Sequence, residues 1–337
     1  MPLPAQPPPS PALAAALHLL RTGMTEPAET VVVKAARDAK RDHGSGSHPL
    51  ALAYADMARF HHAAGEVKRA ATEFQHAVKY PAPADPAAKK DRLAFLFGYA
   101  GCLADLGRTA DAEKVLRQCV LKAREVYGAG TAGAAAATVP LAEHFLRTDF
   151  PADAARLLDA AAPSLIAHRD PLGPLAVALK AEAVRLLNRT DDPFADLERA
   201  APETAAAAVA AGLERAKADP HPRRRPVLDD LVKFACRRFG DGHAASADAL
   251  AGVVRHEAAV GAATSPARAA AVRRAVWSYA AHRPEGMVLE NVEVGFDPDG
   301  TLHLAPHLGR EPGTPGLSAV EGVLVAALDD LFARAAR

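Results

Sequence analysis

Gly23, Gly65 and Gly107 stand 42 residues apart, and two further steps of the same size land on Asp149 and Asp191. The last two sit in matching strings, Arg147-Thr148-Asp149-Phe150-Pro151 and Arg189-Thr190-Asp191-Asp192-Pro193. Self-similarity at a fixed step of roughly 20–50 residues marks an array of supersecondary units, each of which buries its apolar face only against its neighbours.

Counted from these five anchors, the flanking columns keep their character. Seven residues before stand Ala16, Ala58, Ala100, Ala142 and Val184, and four before stand Leu19, His61, Leu103, Phe145 and Leu187. Five after come Ala28, Ala70, Ala112 and Ala154. Nine after come Val32, Phe74, Leu116 and Leu158, and twelve after come Ala35, Ala77, Cys119 and Ala161. Small residues recur where two helices must approach, and large apolar ones where a knob fills the gap. The anchor is a turn position, where Gly or Asp accepts a left-handed backbone or caps the next helix. Composition agrees: 81 of 337 residues are alanine, the best helix former, and 5% are aromatic, which argues against an all-β fold.

This alternation of large, small, large, Gly, Ala, large, Ala resembles the tetratricopeptide repeat (TPR). The 42-residue step is similar to the longer variant of kinesin light chains and related bacterial proteins. Tyr127-Gly128 and His48-Pro49 resemble parts of that variant's linker, Tyr-Gly-x-x-His-Pro. The resemblance covers roughly residues 9–200. It implies an α-solenoid of helix-turn-helix repeats, with residues 9–219 as the array. The last unit is degenerate: Asp196, Ala200 and Glu203 break the columns, Pro202 interrupts the second helix, and 193–218 is expected to cap the stack.

The resemblance also implies a concave face lined by the first helix of each pair, at positions between the packing columns. Carried over by the period, these rows give Arg59, Glu143 and Arg185 six before the anchor, and His62, Leu146 and Asn188 three before. Asp105, Arg147 and Arg189 stand two before, and Phe97 and Val139 ten before. Arginines and Asn188 at one end can hold a carboxylate or an extended backbone through charge-assisted bonds. The expectation is a non-enzymatic scaffold or adaptor that binds a peptide segment of acidic character. The alternative is a small enzymatic or sensory C-terminal domain recruited by the repeats. A third reading is a regulatory subunit that takes a small ligand in the groove.

Beyond residue 219 the period disappears. Pro220–Pro226 reads as an exposed linker, and its three arginines as a solvated charged loop. Residues 227–337 read as a small α+β module: helices over 227–239, ended by Gly240, then over 244–260 and 266–282, with Trp277 as a core filler. Alternating runs around Asp297-Pro298-Asp299-Gly300 predict a β-hairpin, followed by a loop over 308–316 and a final helix over 317–336.

Charge and motifs exclude several functions. Forty basic against 40 acidic residues leave no surplus for a general nucleic-acid binder. Three cysteines, far apart, make neither a disulfide framework nor a thiolate zinc site, and Cys119 falls in an alanine column as a buried, inert thiol. His61 and His62 diverge by about 100° on a helix, so they do not share a metal with His76. His303 and His307, read as straddling a strand end, lack a third ligand. No nucleophile elbow, phosphate loop or dinucleotide fingerprint occurs, so no catalytic residue, cofactor or metal is expected. Residues 1–8 belong to a proline-rich arm read as disordered, the apolar stretch after it is too short to span a bilayer, and the expected location is cytoplasmic.

Overall fold

The computed structural model describes residues 7–80, 85–189, 192–218, 225–240 and 243–260, together with the backbone of 287–296 and 302–310. Two compact units emerge, Met1–Leu172 and Gly173–Arg337.

The first unit is four helical pairs. The first helices are α1 (Pro11–Arg21), α3 (His48–Ala63), α5 (Pro86–Asp105) and the broken pair α7 (Ala132–Ala136) and α8 (Val139–Arg147). The second helices are α2 (Thr25–His43), α4 (Val67–Lys79), α6 (Thr109–Tyr127) and α9 (Pro151–Ala167). Each second helix packs on its own first helix, and α2, α4 and α6 also pack on the first helix of the next pair. Each first helix begins at a side-chain cap: Ser10, Ser47, Asp85 and Thr131 accept from the backbone N–H three residues on. Pro140 stands in the first turn of α8, where its missing donor is tolerated, and Ala137 and Thr138 between α7 and α8 keep right-handed dihedrals while the regular helix is interrupted.

The anchors are left-handed, as the period requires. Gly23, Gly65, Gly107 and Asp149 have φ of 81, 80, 72 and 64°. In each pair the residue after the anchor donates its N–H back five residues, as in Glu66 to His61 at 2.8 Å and Arg108 to Leu103 at 2.9 Å. This bond closes the helix and aims the chain into the second one. The alanines seven before and five after the anchor are at most 1% exposed in all four pairs. Val32, Phe74, Leu116 and Leu158 fill the space between them. His61 takes its place among the knobs at 0% exposure, and Cys119 is fully enclosed with burial raising its thiol pKa.

The fifth pair departs from the expected step. Its left-handed residue is Asn188, φ 53°, and the closing bond runs from Arg189 N–H to the Val184 carbonyl at 3.0 Å. The step from Asp149 is therefore 39 residues, and the Arg-Thr-Asp string at 189–191 is a coincidence. With the corrected anchor the columns recover: Ala181 falls seven before, Val184 four before and Leu197 nine after, all 0% exposed.

This pair belongs to the second unit: α10 (Gly173–Leu186), a short 3-10 turn Ala195–Leu197, α11 (Pro202–Ala218), α12 (Arg225–Phe239) and α13 (Ala244–Val260). Helix α11 packs on α10, α12 and α13. The Phe194 and Phe234 rings stack with centroids 5.1 Å apart, and Glu182 accepts from Arg215 at 2.8 and 3.1 Å. Gly240 ends α12 with φ 82°. Strands β1 (Met287–Phe296) and β2 (Leu302–Arg310) pair antiparallel, with a bulge between Leu289 and Asn291. His303 and His307 both lie inside β2 and do not straddle its end. The expected turn at 297–300, the helices expected over 266–282 and 317–336, and Trp277 lie outside the described residues.

Candidate peptide-binding face

Helix α3 carries His48, Asp56, Arg59, His61 and His62. Arg59, six before its anchor, is half-buried and donates from Nη1 to Asp56 Oδ1 at 3.3 Å and to the Pro7 carbonyl at 3.2 Å. Asp56 is 9% exposed, and Ser10 stands beside its carboxyl on the same cleft. Burial raises the Asp56 pKa, while neighbouring Ser10 and the Arg59 charge pull it back. Burial likewise lowers that of Arg59, against the attraction of Asp56 and Asp91. Of the arm expected to be disordered over 1–8, Pro7 and Pro8 are among the described residues, and the Pro7 carbonyl is held by a side chain.

Toward the C-terminal end of α3, His62 Nε2 and Asp105 Oδ2 are 2.9 Å apart, and at its start His48 Nε2 and Asp91 Oδ2 are 3.0 Å apart. Both bridges join α3 to α5. Between them Gly101 lies on α5, and a Cβ built on it would meet no atom within 4 Å. On α8, Glu143 is half-exposed, Arg147 is exposed, and Leu146 is buried at 9%. Arg147 is among the charges that lower the pKa of buried His144.

Several expected lining residues sit elsewhere. Phe97 and Val139 are 0% exposed, so they are core residues with no face for a ligand. Both lie on helices covered from more than one side, which widens the buried arc beyond the stripe that a single packing face predicts. Asn188 and Arg189 are turn residues, because the fifth anchor comes three positions early. Arg185 remains on a first helix, but its guanidinium is engaged by Asp230 and by the Arg189 carbonyl. These three belong to the second unit.

Sequence reasoning missed Asp56 and the His48–Asp91 bridge, though signals for both exist. Asp56 is the one acid in a column whose other members are Ala14, Gly98 and Pro140. Each His–Asp pair is 43 residues apart, one residue more than the period.

In the second unit a cleft of about 530 Å³ lies between α11 and α13, lined chiefly by alanines with Leu213, Glu214, His243 and Asp248. His243 is committed to structure there: its Nδ1 accepts from the Ala245 N–H at 3.1 Å and its ring stacks on Phe239. Among the described residues no three His, Cys, Asp or Glu side chains converge as metal ligands, and no helix is long and apolar enough to cross a membrane.

No family model and no curated protein matches the chain. Two crystal structures of Podosopora anserina kinesin light chain nearly identical TPR-like repeats are similar to it. One has 17% identity and a TM-score of 0.47, over 61% of this chain and 94% of that one. The other has 16% identity and a TM-score of 0.45, over 62% and 95%. The chain itself is built of TPR-like helical hairpins, closed by left-handed turns that recur every 42 residues through the first four pairs.

Proposed function

We propose that the chain is a protein–protein interaction module whose first unit binds an extended peptide segment along its first helices. The observation that carries this reading is periodic accessibility. Leu17, Arg59, Gly101 and Glu143, at one phase of four successive pairs, are all partly exposed, while the alanines beside them in sequence are sealed. A row of that kind offers contacts at a regular rise to a chain laid across the helices.

The charges in the row now carry different weight. Asp105 answers His62, Asp56 answers Arg59, and Arg185 is bound to Asp230. Arg147 stands exposed at the C-terminal end of α8 and is the arginine proposed to meet an acidic segment. Backbone capture by polar side chains is the larger part of the proposed recognition. The test is calorimetry of the full chain against extended peptides with and without a carboxylate. Replacing Arg147 by Ala is expected to weaken the acidic peptides about tenfold and leave the neutral ones unchanged. Equal affinities before and after would remove Arg147 from the site. No binding by either class would remove the interaction reading itself.

A further inference from the structure

The N-terminal arm touches α3 through backbone atoms. Its Pro7 carbonyl accepts from Arg59 at 3.2 Å, and Ser10 stands beside Asp56, on the same cleft, where it favours the charged carboxyl. Ser10 has φ −62° and ψ 159°, the polyproline geometry that Pro7-Pro8-Pro9 also favours. Arg59 therefore reads a carbonyl of an extended, left-handed segment, and Asp56, one helical turn before it, is an acceptor facing the end of that segment. Arg59 Nε is buried without a hydrogen-bond partner, so the donor set is not saturated by the arm. Beside this pair a cleft of about 330 Å³ opens between the start of α1, α2 and α3, with Val32, Leu52 and Ala53 among its walls and Ser10 and Asp56 at its rim. It has room for one apolar side chain next to a clamped backbone.

We propose that Asp56 and Arg59 form a clamp for extended, proline-rich backbone, with the adjoining cleft seating one apolar side chain, and that residues 7–10 of the chain occupy the clamp until a segment of the same chemistry displaces them. The inference rests on the peptide-binding reading above and names the class of segment. Proline-rich segments suit such a site because they are already extended and lose little entropy on docking. The occupant is the arm or a segment like it, since the Pro7 carbonyl of the arm already meets Arg59 and Ser10 stands beside Asp56.

The experiment uses the full chain and a fluorescein-labelled synthetic peptide with the sequence of residues 2–11. In one variant Pro7, Pro8 and Pro9 are each replaced by Gly, which keeps the Ser10 cap of α1 but makes the arm costly to order. Fluorescence polarisation is expected to show the peptide binding this variant about tenfold more tightly than the unaltered chain. Adding Arg59→Ala should abolish the gain. Should that variant lose its helical circular dichroism, Arg59→Lys replaces it. The lysine keeps the charge but has no fork to span Asp56 and a carbonyl, and it is expected to lose most of the gain. Equal binding by the unaltered and glycine-arm chains overturns the proposal, as does a gain that survives both Arg59 variants. If the acidic peptides bind through Arg147 and the arm peptide binds nothing, the clamp falls and the interaction module stands. If neither binds, both fall.

Discussion

His62 and Asp105 meet across α3 and α5 at 2.9 Å, and His48 and Asp91 repeat that contact at 3.0 Å, both 43 residues apart. The two bridges sit 14 residues apart on each helix, a rise of about 21 Å, so they tie the same pair of helices near both ends. The outer one holds little of the helix spacing: His62 and Asp105 are about half-exposed, and a pair of that kind contributes roughly 0–1 kcal/mol. The spacing is set by what lies beneath them, the alanines and glycines of α3 and α5.

Two glycines on α5 should respond to alanine in opposite directions. A Cβ on Gly98 would stand 2.4 Å from Phe74 Cζ, whereas one on Gly101 would meet nothing within 4 Å. Phe74 is 4% exposed and has little room to retreat. Gly98→Ala is expected to cost about 1–3 kcal/mol through overpacking, despite the better helix propensity. Gly101→Ala should gain up to about 1 kcal/mol, because only propensity changes. Urea denaturation of both variants checks the sign; two changes of the same sign would contradict the packing described for α4 and α5.

His61 occupies a column that elsewhere holds Leu, Phe or Val. Its Nδ1 lies 3.1 Å from Glu66 Oε2 but out of hydrogen-bond alignment, and its Nε2 has no partner. Burying an imidazole without partners costs more than burying an isobutyl group of similar volume. His61→Leu should therefore raise stability by about 1–2 kcal/mol, read as a higher urea midpoint with an unchanged slope. A lower midpoint would mean that the Glu66 contact stabilises the fold more than its geometry suggests.

The first unit should weaken in mild acid through His144. Burial, aided by the charge of Arg147, pushes the His144 imidazole below its ordinary 6.5, with Glu113 and a backbone bond to Thr109 opposing. Below that ordinary value the unfolded chain binds a proton that the folded chain still refuses. The stability His144 contributes above 6.5 is therefore lost as pH falls toward its folded pKa. Thermal unfolding between about pH 7.5 and 5.5 should show a smaller acid destabilisation in His144→Phe than in the unaltered chain. An identical loss in both would assign the acid sensitivity to other groups.

Thiol chemistry should single out one cysteine. Burial pushes Cys102 up to about 12 and Cys119 higher still, and both are at most 1% exposed. Cys236 is only half-buried. A maleimide at neutral pH should label Cys236 in the folded chain and reach the other two only in denaturant. Mass spectrometry of tryptic fragments reads the result directly; early labelling of Cys119 would mean that its helices open readily.

Much of the first unit was legible because alanine and left-handed turns leave a strong periodic trace. The columns at Ala58, Ala100 and Ala142 needed no structure to be found. The fifth pair was misread because a five-residue string at 189–193 outweighed a weaker but truer signal, the return of alanine at position 181. Phe97 and Val139 were misplaced because a period locates a residue along a helix but does not say how many neighbours surround it. The Asp56–Arg59 pair was only half legible: Asp56 is the one acid in its column, but the group that Arg59 holds is the main-chain carbonyl of Pro7, which no side-chain pattern announces.

The alanine columns also fix how the array can change. No residue smaller than alanine keeps a helix without loss, so nearly every substitution at Ala16, Ala58, Ala100 or Ala142 adds volume at a point of contact. Random drift at these sites can prise neighbouring hairpins apart but has no route to draw them nearer. The stack already stands at its tightest pitch.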